Sequence, residues 1–532
     1  MSKKSFLKGA AILGVAGLMV QVMGAVFRIP LGNIIGDEGM GYYQTAYPIY
    51  VFLLVFSTNG APAAISKMTS ERIAIGRPDE AHRVFKLSFL LMFIIGIVAA
   101  SIFFFGAKLI VTMLGNPGAY MSMLAIAPAL LFVPIMAVFR GYFQGMQEMG
   151  PTATSQLVEQ AVRVSIGLAL AVLLLSKGLE FAAAGATVGT SIGPIAGVLT
   201  LIFIYVRKRN KLNIEIENKE MEQESASSIL KTLAAIAIPI TIGVSILPIM
   251  NIADVVIVMR RLQDIGFTAK EANALYGQLT GMAGPVINVP MALALSMALS
   301  MVPAIAAAKS TNDMPFLKMN VRLGLRTAMI IGVPCTFGLM ALAKPIMTLI
   351  YPLQADSAVN SAGCLFYLAI GIMFLCIAQT MAGTLQGLGK QGIAVWGLLA
   401  GFIVKCVLTY VLVGIPELNV EGAAISSSVA YMTIGLINFM SVKKLTGIKF
   451  DMNLSVFKPL LCGIIMFLLV VASYKGLSGI IGNSLSTVVS IGIGAGVYGV
   501  TLLKIKAIEA SEVELLPKGT VLVKVLKKCK LV

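Results

Sequence analysis

The 532-residue chain has one histidine, one tryptophan and few charges: Asp, Glu, Lys and Arg together make up 12% of it. A soluble domain carries about a quarter charged residues, so this chain cannot cover a soluble surface of its size. One histidine excludes a His-based metal site. His82 lies in a charged stretch and is expected to be a solvated loop residue. The six cysteines, at 335, 364, 376, 406, 462 and 529, have no C-x-x-C spacing. Neither zinc nor a redox couple is indicated, and buried, reduced thiols are expected. Walker motifs, nucleophile elbows and zinc-protease boxes are missing. No enzyme activity, ATP hydrolysis, metal or cofactor is therefore expected.

Apolar residues make up 58% of the chain, glycine accounts for 52 positions, and the mean hydropathy is +0.91. Fourteen apolar runs are long enough to span a membrane, from 6–28 and 43–65 to 457–474 and 482–503. Each is about 20 residues, the length a helix needs to cross roughly 30 Å of hydrocarbon. A porin-type barrel would alternate apolar and polar residues instead. The fold class expected is an all-α polytopic membrane protein of about 14 transmembrane helices. The first run follows Lys3, Lys4 and Lys8 and is read as a retained helix rather than a cleaved signal.

With the N-terminus inside, the inner segments hold thirty Lys and Arg and the outer loops seven. That asymmetry is the positive-inside pattern and puts both termini in the cytoplasm. Labelling of a cysteine placed in the 207–228 connector from outside intact cells would refute it. The net charge of +17 is accounted for by topology and contact with lipid, so no nucleic-acid partner is inferred.

The chain repeats itself. GYFQGMQEMG at 141–150 and GTLQGLGKQG at 383–392 both read G-x-x-Q-G-x-x-x-x-G, 242 residues apart, and the same offset carries Arg163 onto Lys405. PAAISK at Pro62 loosely echoes PAIAAAK at Pro303. The division expected is an N-lobe at 1–206 (spans 1–6), a cytoplasmic linker at 207–228 and a C-lobe at 229–444 (spans 7–12). A helix pair at 445–504 and a cytoplasmic tail at 505–532 complete it. Two such lobes, related by a pseudo-two-fold axis along the membrane normal, enclose a cavity that rocking exposes to alternate sides.

Charges inside spans are costly and point to function. Arg28 lies nine residues before Asp37 in GAVFRIPLG, below the outer surface. It is expected in the cavity, where its fork suits phosphate oxygens; the alternative is a guanidinium snorkelling to outer headgroups. Arg163 is near the middle of span five, with Glu159 on the same helix face, and the two could form an internal ion pair. Lys405 has no acid on its own helix. Asp254, in NIADVVIVM, could bind H⁺ or Na⁺, or could neutralise Lys405 or Arg28. We expect it to pair with Lys405. Gln44, Asn59 and Gln278 join Arg28 and Arg163 as substrate-binding candidates, although each amide could equally tie two helices together. Gln144 and Gln386, beside the repeated glycines, read as packing and hinge elements.

The 6 + 6 + 2 arrangement resembles the polysaccharide-transporter branch of the MOP superfamily, within it the SpoVB/YtgP group related to MurJ-type lipid II flippases. The resemblance is carried by GAVFRIPLGNIIGDEGMGYYQTAYPIY, FRGYFQGMQEMGPTATSQLVEQAVRV and the terminal ELLPKGTVLVKVLKK. It implies transfer of undecaprenyl-pyrophosphate-linked glycans, lipid II or a relative, from the inner to the outer leaflet of the bacterial plasma membrane. It places Arg28 at a cavity-facing arginine and Asp254 at a position linked to a cation site. An arginine expected early in the eighth helix is missing from YGQLTGMAGP, where Gln278 stands. Paired second-helix arginines are absent from YVFLLVFSTNG. The last two helices would hold the polyprenyl tail. Partners implied are the lipid-linked glycan and membrane lipids, with the protein a monomer. H⁺, Na⁺ or the membrane potential would drive transport. The alternative is a small-molecule antiporter of the MATE type, against which the extra helix pair and the excess of buried cations count.

Overall fold

The computed structural model describes residues 3–55, 60–209 and 224–507. Asn59, most of the 207–228 connector and the 508–532 tail with Cys529 lie outside the described residues. Those described are almost wholly α-helical, without a strand. Hydrocarbon leaves backbone polar groups no partner but the helix itself, so the apolar runs fold this way throughout. Side-chain caps appear at polar connectors. Ser225 accepts from Ser228 N, Thr268 and Glu271 cap each other reciprocally, and Asp313 accepts from Phe316 N at 2.9 Å. Side chains such as Phe105, Trp396 and Ile480, all more than two-thirds exposed, face outward in numbers no aqueous surface would hold. This is a multi-pass membrane protein.

Chain contacts define two compact units, residues 1–281 and 282–532. The first contains α1 (Lys3–Val55), α2 (Ala61–Ala74), α3 (Pro78–Met113), α4 (Tyr120–Ile126) and α5 (Ala129–Gly145). It continues with α6 (Met149–Leu174), α7 (Leu179–Arg209), α8 (Ala226–Asp264) and α9 (Ala269–Gly277). The first unit includes α8 and α9 because α8 packs on α1, α2 and α3, and α9 packs on α1. The second unit contains α10 (Gly284–Ser310), α11 (Met314–Ala341), α12 (Ala343–Ile350), α13 (Ala355–Ile370) and α14 (Ile372–Gly387). It ends with α15 (Gln391–Val413), α16 (Glu421–Thr446) and α17 (Lys458–Lys504).

Among the described residues ten helices are long and apolar enough to span, or twelve counting two bent pairs. The difference from fourteen falls at α1 and α17, each interrupted by one left-handed glycine: Gly36 (φ 64°) and Gly482 (φ 75°). Phe27 and Tyr43, 16 residues apart, would lie about 24 Å apart along one continuous helix. Their rings are 6.1 Å apart, so α1 turns back at Gly36 as a helical hairpin. Ser473 and Ser490 likewise share a 3.2 Å hydrogen bond across Gly482.

The 242-residue repeat reappears in the helix boundaries. α5 and α14 end at Gly145 and Gly387; α6 and α15 start at Met149 and Gln391; α7 and α16 start at Leu179 and Glu421. Gln147 and Gly389, also 242 apart, both take left-handed φ (61° and 68°). The repeated glycines explain the motif. A Cβ on Gly141 would lie 2.9 Å from Pro62 Cα, and one on Gly145 2.8 Å from the Ser66 carbonyl oxygen. In the second copy, Gly383 and Gly387 meet the carbonyl oxygens of Ala298 and Val302 at 2.4 and 2.8 Å. In each copy the glycine face of one helix receives another backbone directly, as small residues permit in membrane helices.

His82 is not a solvated loop residue. It sits in the first turns of α3, stacked on Phe85 and Tyr205 at 5.8 and 6.5 Å. An apolar cluster on α5 and α7 draws the imidazole inward. The five described cysteines are free thiols, buried or half-buried.

Candidate functional site

The α1 hairpin brings Arg28 back against the YYQTAYPIY stretch. Tyr43, Tyr47 and Tyr50 follow helical spacing and share one face. Tyr43 stacks on Tyr47 at 5.6 Å, and Tyr47 lies 6.0 Å from Tyr50. The ring of Tyr47 holds two guanidiniums: Arg28 from its own hairpin and Arg163 from α6, each 5.4 Å from the ring centroid. Such contacts contribute about 0.5–2 kcal/mol each. Two like charges converge on one tyrosine, which offers both its ring and its hydroxyl to them.

Glycines place Arg163. A Cβ on Gly189 would come 2.6 Å from the Arg163 carbonyl oxygen, and one on Gly193 3.1 Å from Arg163 Cβ. α7 therefore seats α6 backbone to backbone. The expected Arg163–Glu159 pair is replaced by another. Glu159 accepts from Arg140 Nη2 at 2.8 Å, while Arg140 Nε donates to Ser155 Oγ at 3.0 Å. Arg140 is closer because α5 packs its polar edge on the first turns of α6. One buried nitrogen of Arg163, Nη2, has no hydrogen-bond partner among the described residues. Buried donors are nearly always satisfied, and a cationic one calls for an anionic oxygen. Three guanidiniums thus stand against one carboxylate, which is already bonded.

The two glutamines predicted to bind substrate take another part. Gln44 Nε2 donates to the Thr280 carbonyl at 2.7 Å, and Gln278 Nε2 to Asp37 Oδ2 at 2.8 Å. Both are buried. They join the α1 hairpin to α9 and to the π-helical stretch Gln278–Ala283 that follows it, so their amides tie helices together. Asp254, on α8, is in the first compact unit and acts electrostatically on Tyr276. Lys405 is in the second. Lys405 is buried in the stripe Gly397, Gly401, Lys405 and Thr409, and Thr409 meets Ser426 on α16 at 2.6 Å.

Around the Gly36 turn a seam closes between α1, α9 and the α3–α4 connection. Asn116 Nδ2 donates to Thr45 Oγ1 and to Asn273 Oδ1, both at 2.7 Å, and Asn273 Nδ2 donates to the Glu38 carbonyl at 2.8 Å. The backbones nearly touch: a Cβ on Gly277 would lie 1.9 Å from the Asp37 carbonyl oxygen, and one on Gly41 2.2 Å from that of Asn273. Gln263 Nε2 and Arg260 Nη2 add bonds to the carbonyls of Gly115 and Met113 at 2.7 and 2.6 Å. Sequence reasoning missed Tyr47, Arg140, Asn116 and Asn273. The aromatic run and the asparagines flanking apolar spans were the available signals.

Among the described residues no group of His, Cys, Asp or Glu could hold a metal ion. The profile of a family described as polysaccharide biosynthesis protein matches residues 6–309, more than half the chain. Stage V sporulation protein B of Bacillus subtilis (strain 168) is 27% identical over 472 residues, covering 87% of this chain and 89% of that protein. The lipid II flippase MurJ of the same organism is 28% identical over 463 residues, 84% of each. Among solved structures, a lipid II flippase MurJ in an inward closed conformation has a TM-score of 0.69 at 17% identity, covering 92% of this chain and 97% of that one. An inward-facing MATE-family multidrug transporter of the MOP superfamily has a TM-score of 0.69 at 14% identity, covering 82% and 98%.

Proposed function

The chain belongs to the polysaccharide biosynthesis protein family, and from that premise we propose that it moves an undecaprenyl-pyrophosphate-linked glycan across the bacterial plasma membrane by alternating access. Lipid II or a closely related lipid-linked oligosaccharide is the substrate, and a sporulation glycan belongs to the same class. The observation that carries this reading is the convergence of Arg28 and Arg163 on Tyr47, with Arg163 Nη2 buried and without a hydrogen-bond partner among the described residues. A polyprenyl chain can stay in hydrocarbon during transfer, but a pyrophosphate needs a cationic path. Guanidinium forks match its oxygens and keep their charge at any depth.

The site departs from the family pattern where Gln278 stands for an arginine. Its amide donates to Asp37, so the hairpin end is held by neutral donors while the cations gather deeper, at Tyr47. In this proposal both termini are cytoplasmic, the protein acts as a monomer, and H⁺, Na⁺ or the membrane potential supplies the drive, with Asp254 as the acid available for coupling.

Depletion in a native or surrogate host tests the reading, with chemical identification of the glycolipids on each leaflet. A lipid-linked glycan should accumulate on the cytoplasmic leaflet. Unchanged glycolipids, together with lost efflux of a cationic small molecule, would replace the flippase by the antiporter.

A further inference from the structure

The second unit has a cavity of about 760 Å³ at the end where α11 begins and α17 begins. By the charge count this is the cytoplasmic end. Lys318, Arg322 and Arg326 line it, spaced four residues apart on one face of α11. Lys449, from the connector between α16 and α17, faces them. Four cations therefore share the cavity with one acid, Asp451. That acid is already engaged: Asp451 Oδ1 accepts from the Leu454 amide at 3.1 Å and caps the turn leading into α17. Lys318, Arg322 and Lys449 make no ion pair among the described residues.

The cavity is built rather than incidental. Arg326, its floor, is 7% exposed, and its Nε donates to the Ala507 carbonyl at 2.9 Å. Leu317, Val321 and Leu325, on the neighbouring face of the same turns of α11, are fully packed with Met381, Leu385 and Ile448. Phe450 is pinned by Phe439 at 4.9 Å. The cationic face is thus held in place from behind.

Its rim is apolar. Pro315, Met319, Leu323, Phe450 and Leu454 line the cavity among the cations, and Met319 is 48% exposed. α11 then runs into a membrane span, so the rim lies at the depth where acyl chains meet headgroups. A soluble phosphate would gain nothing from that rim; a lipid carrying its phosphate there would bury acyl carbons against it. We propose that this cavity binds the phosphate headgroup of an anionic phospholipid of the leaflet it faces. The proposal does not depend on the transport reading, because none of these residues belongs to the Tyr47 site.

Cations near a charged lipid surface contribute roughly fivefold in affinity apiece. The test uses the purified full-length protein in a neutral detergent, titrated with short-chain phosphatidylglycerol, short-chain phosphatidylcholine or inorganic phosphate, with binding read from the shift in melting temperature. The wild type should bind phosphatidylglycerol at least tenfold more tightly than phosphatidylcholine. Lys318→Gln/Arg322→Gln/Lys449→Gln should reduce that affinity about a hundredfold, while Lys318→Arg/Lys449→Arg, a control for folding, keeps it. Arg326 is left intact because it holds Ala507. An unchanged lipid preference in the triple variant would overturn the proposal. So would inorganic phosphate binding as tightly as the lipid, which would make the site one for a soluble anion. Lipid binding that appears only after Glu509, Glu512 and Glu514 are all changed to Gln would overturn it as well, in favour of those glutamates of the chain itself as occupant.

Discussion

Arg28→Ala and Arg163→Ala are each expected to stop transport while the protein still reaches the membrane at normal abundance. The two guanidiniums meet at Tyr47, and Arg163 Nη2 has no hydrogen-bond partner among the described residues. Removing one partner of a desolvated charge contact costs about 2–5 kcal/mol, roughly thirtyfold to several thousandfold in rate or affinity. Lysine should rescue either position only in part, since an ammonium lacks the planar fork. Tyr47→Phe keeps the aromatic face but loses the hydroxyl that hydrogen-bonds both guanidiniums and should lower transport in part, whereas Tyr47→Ala removes ring and hydroxyl together and should lower it further. Complementation of a depleted strain, with abundance measured by immunoblot, decides this. Full activity of Arg28→Ala at wild-type abundance would mean that Arg28 only reaches for headgroups.

Gly277→Leu should have an effect of similar size by a different route. A Cβ there would collide with the Asp37 carbonyl, so a leucine cannot be accommodated while the seam is shut. Overpacking of this kind costs about 1–3 kcal/mol, and each 1.4 kcal/mol shifts a two-state equilibrium tenfold. The seam should spend more of its time apart and transport should fall. Asn273 is fully buried, so a cysteine at 273 in a cysteine-free background reports on the seam. Its reaction with a membrane-impermeant thiol reagent should speed up at least tenfold when Gly277→Leu is added. Equal labelling rates with undiminished transport would show that the seam is not a moving part.

The helical class, the repeat and Arg28 were legible in the sequence because each depends on local composition or on spacing. The register of 242 residues survived to the helix boundaries, since glycines that admit a backbone cannot be exchanged without moving a helix. Pairing was less legible. Glu159 looked like the partner of Arg163 because four residues separate them, yet Arg140 arrives from another helix and takes the carboxylate. Gln44 and Gln278 looked like sugar-binding amides, but an amide's neighbours depend on where a hairpin folds back, and Gly36 determines that. Tyr47 was hidden among other aromatics. Its importance comes from the two charges that converge on it from distant parts of the chain.

The hairpins at Gly36 and Gly482 also bear on how the chain is made. Each reverses within about one residue, with no slack loop at the crest. Nothing lies within 4 Å of a Cβ built on Gly482, so the left-handed backbone, rather than crowding, calls for glycine there. A residue with a side chain at either crest would strain that backbone and pull on both arms at once, so its first effect is expected on how much folded protein the membrane holds rather than on the turnover of what is there.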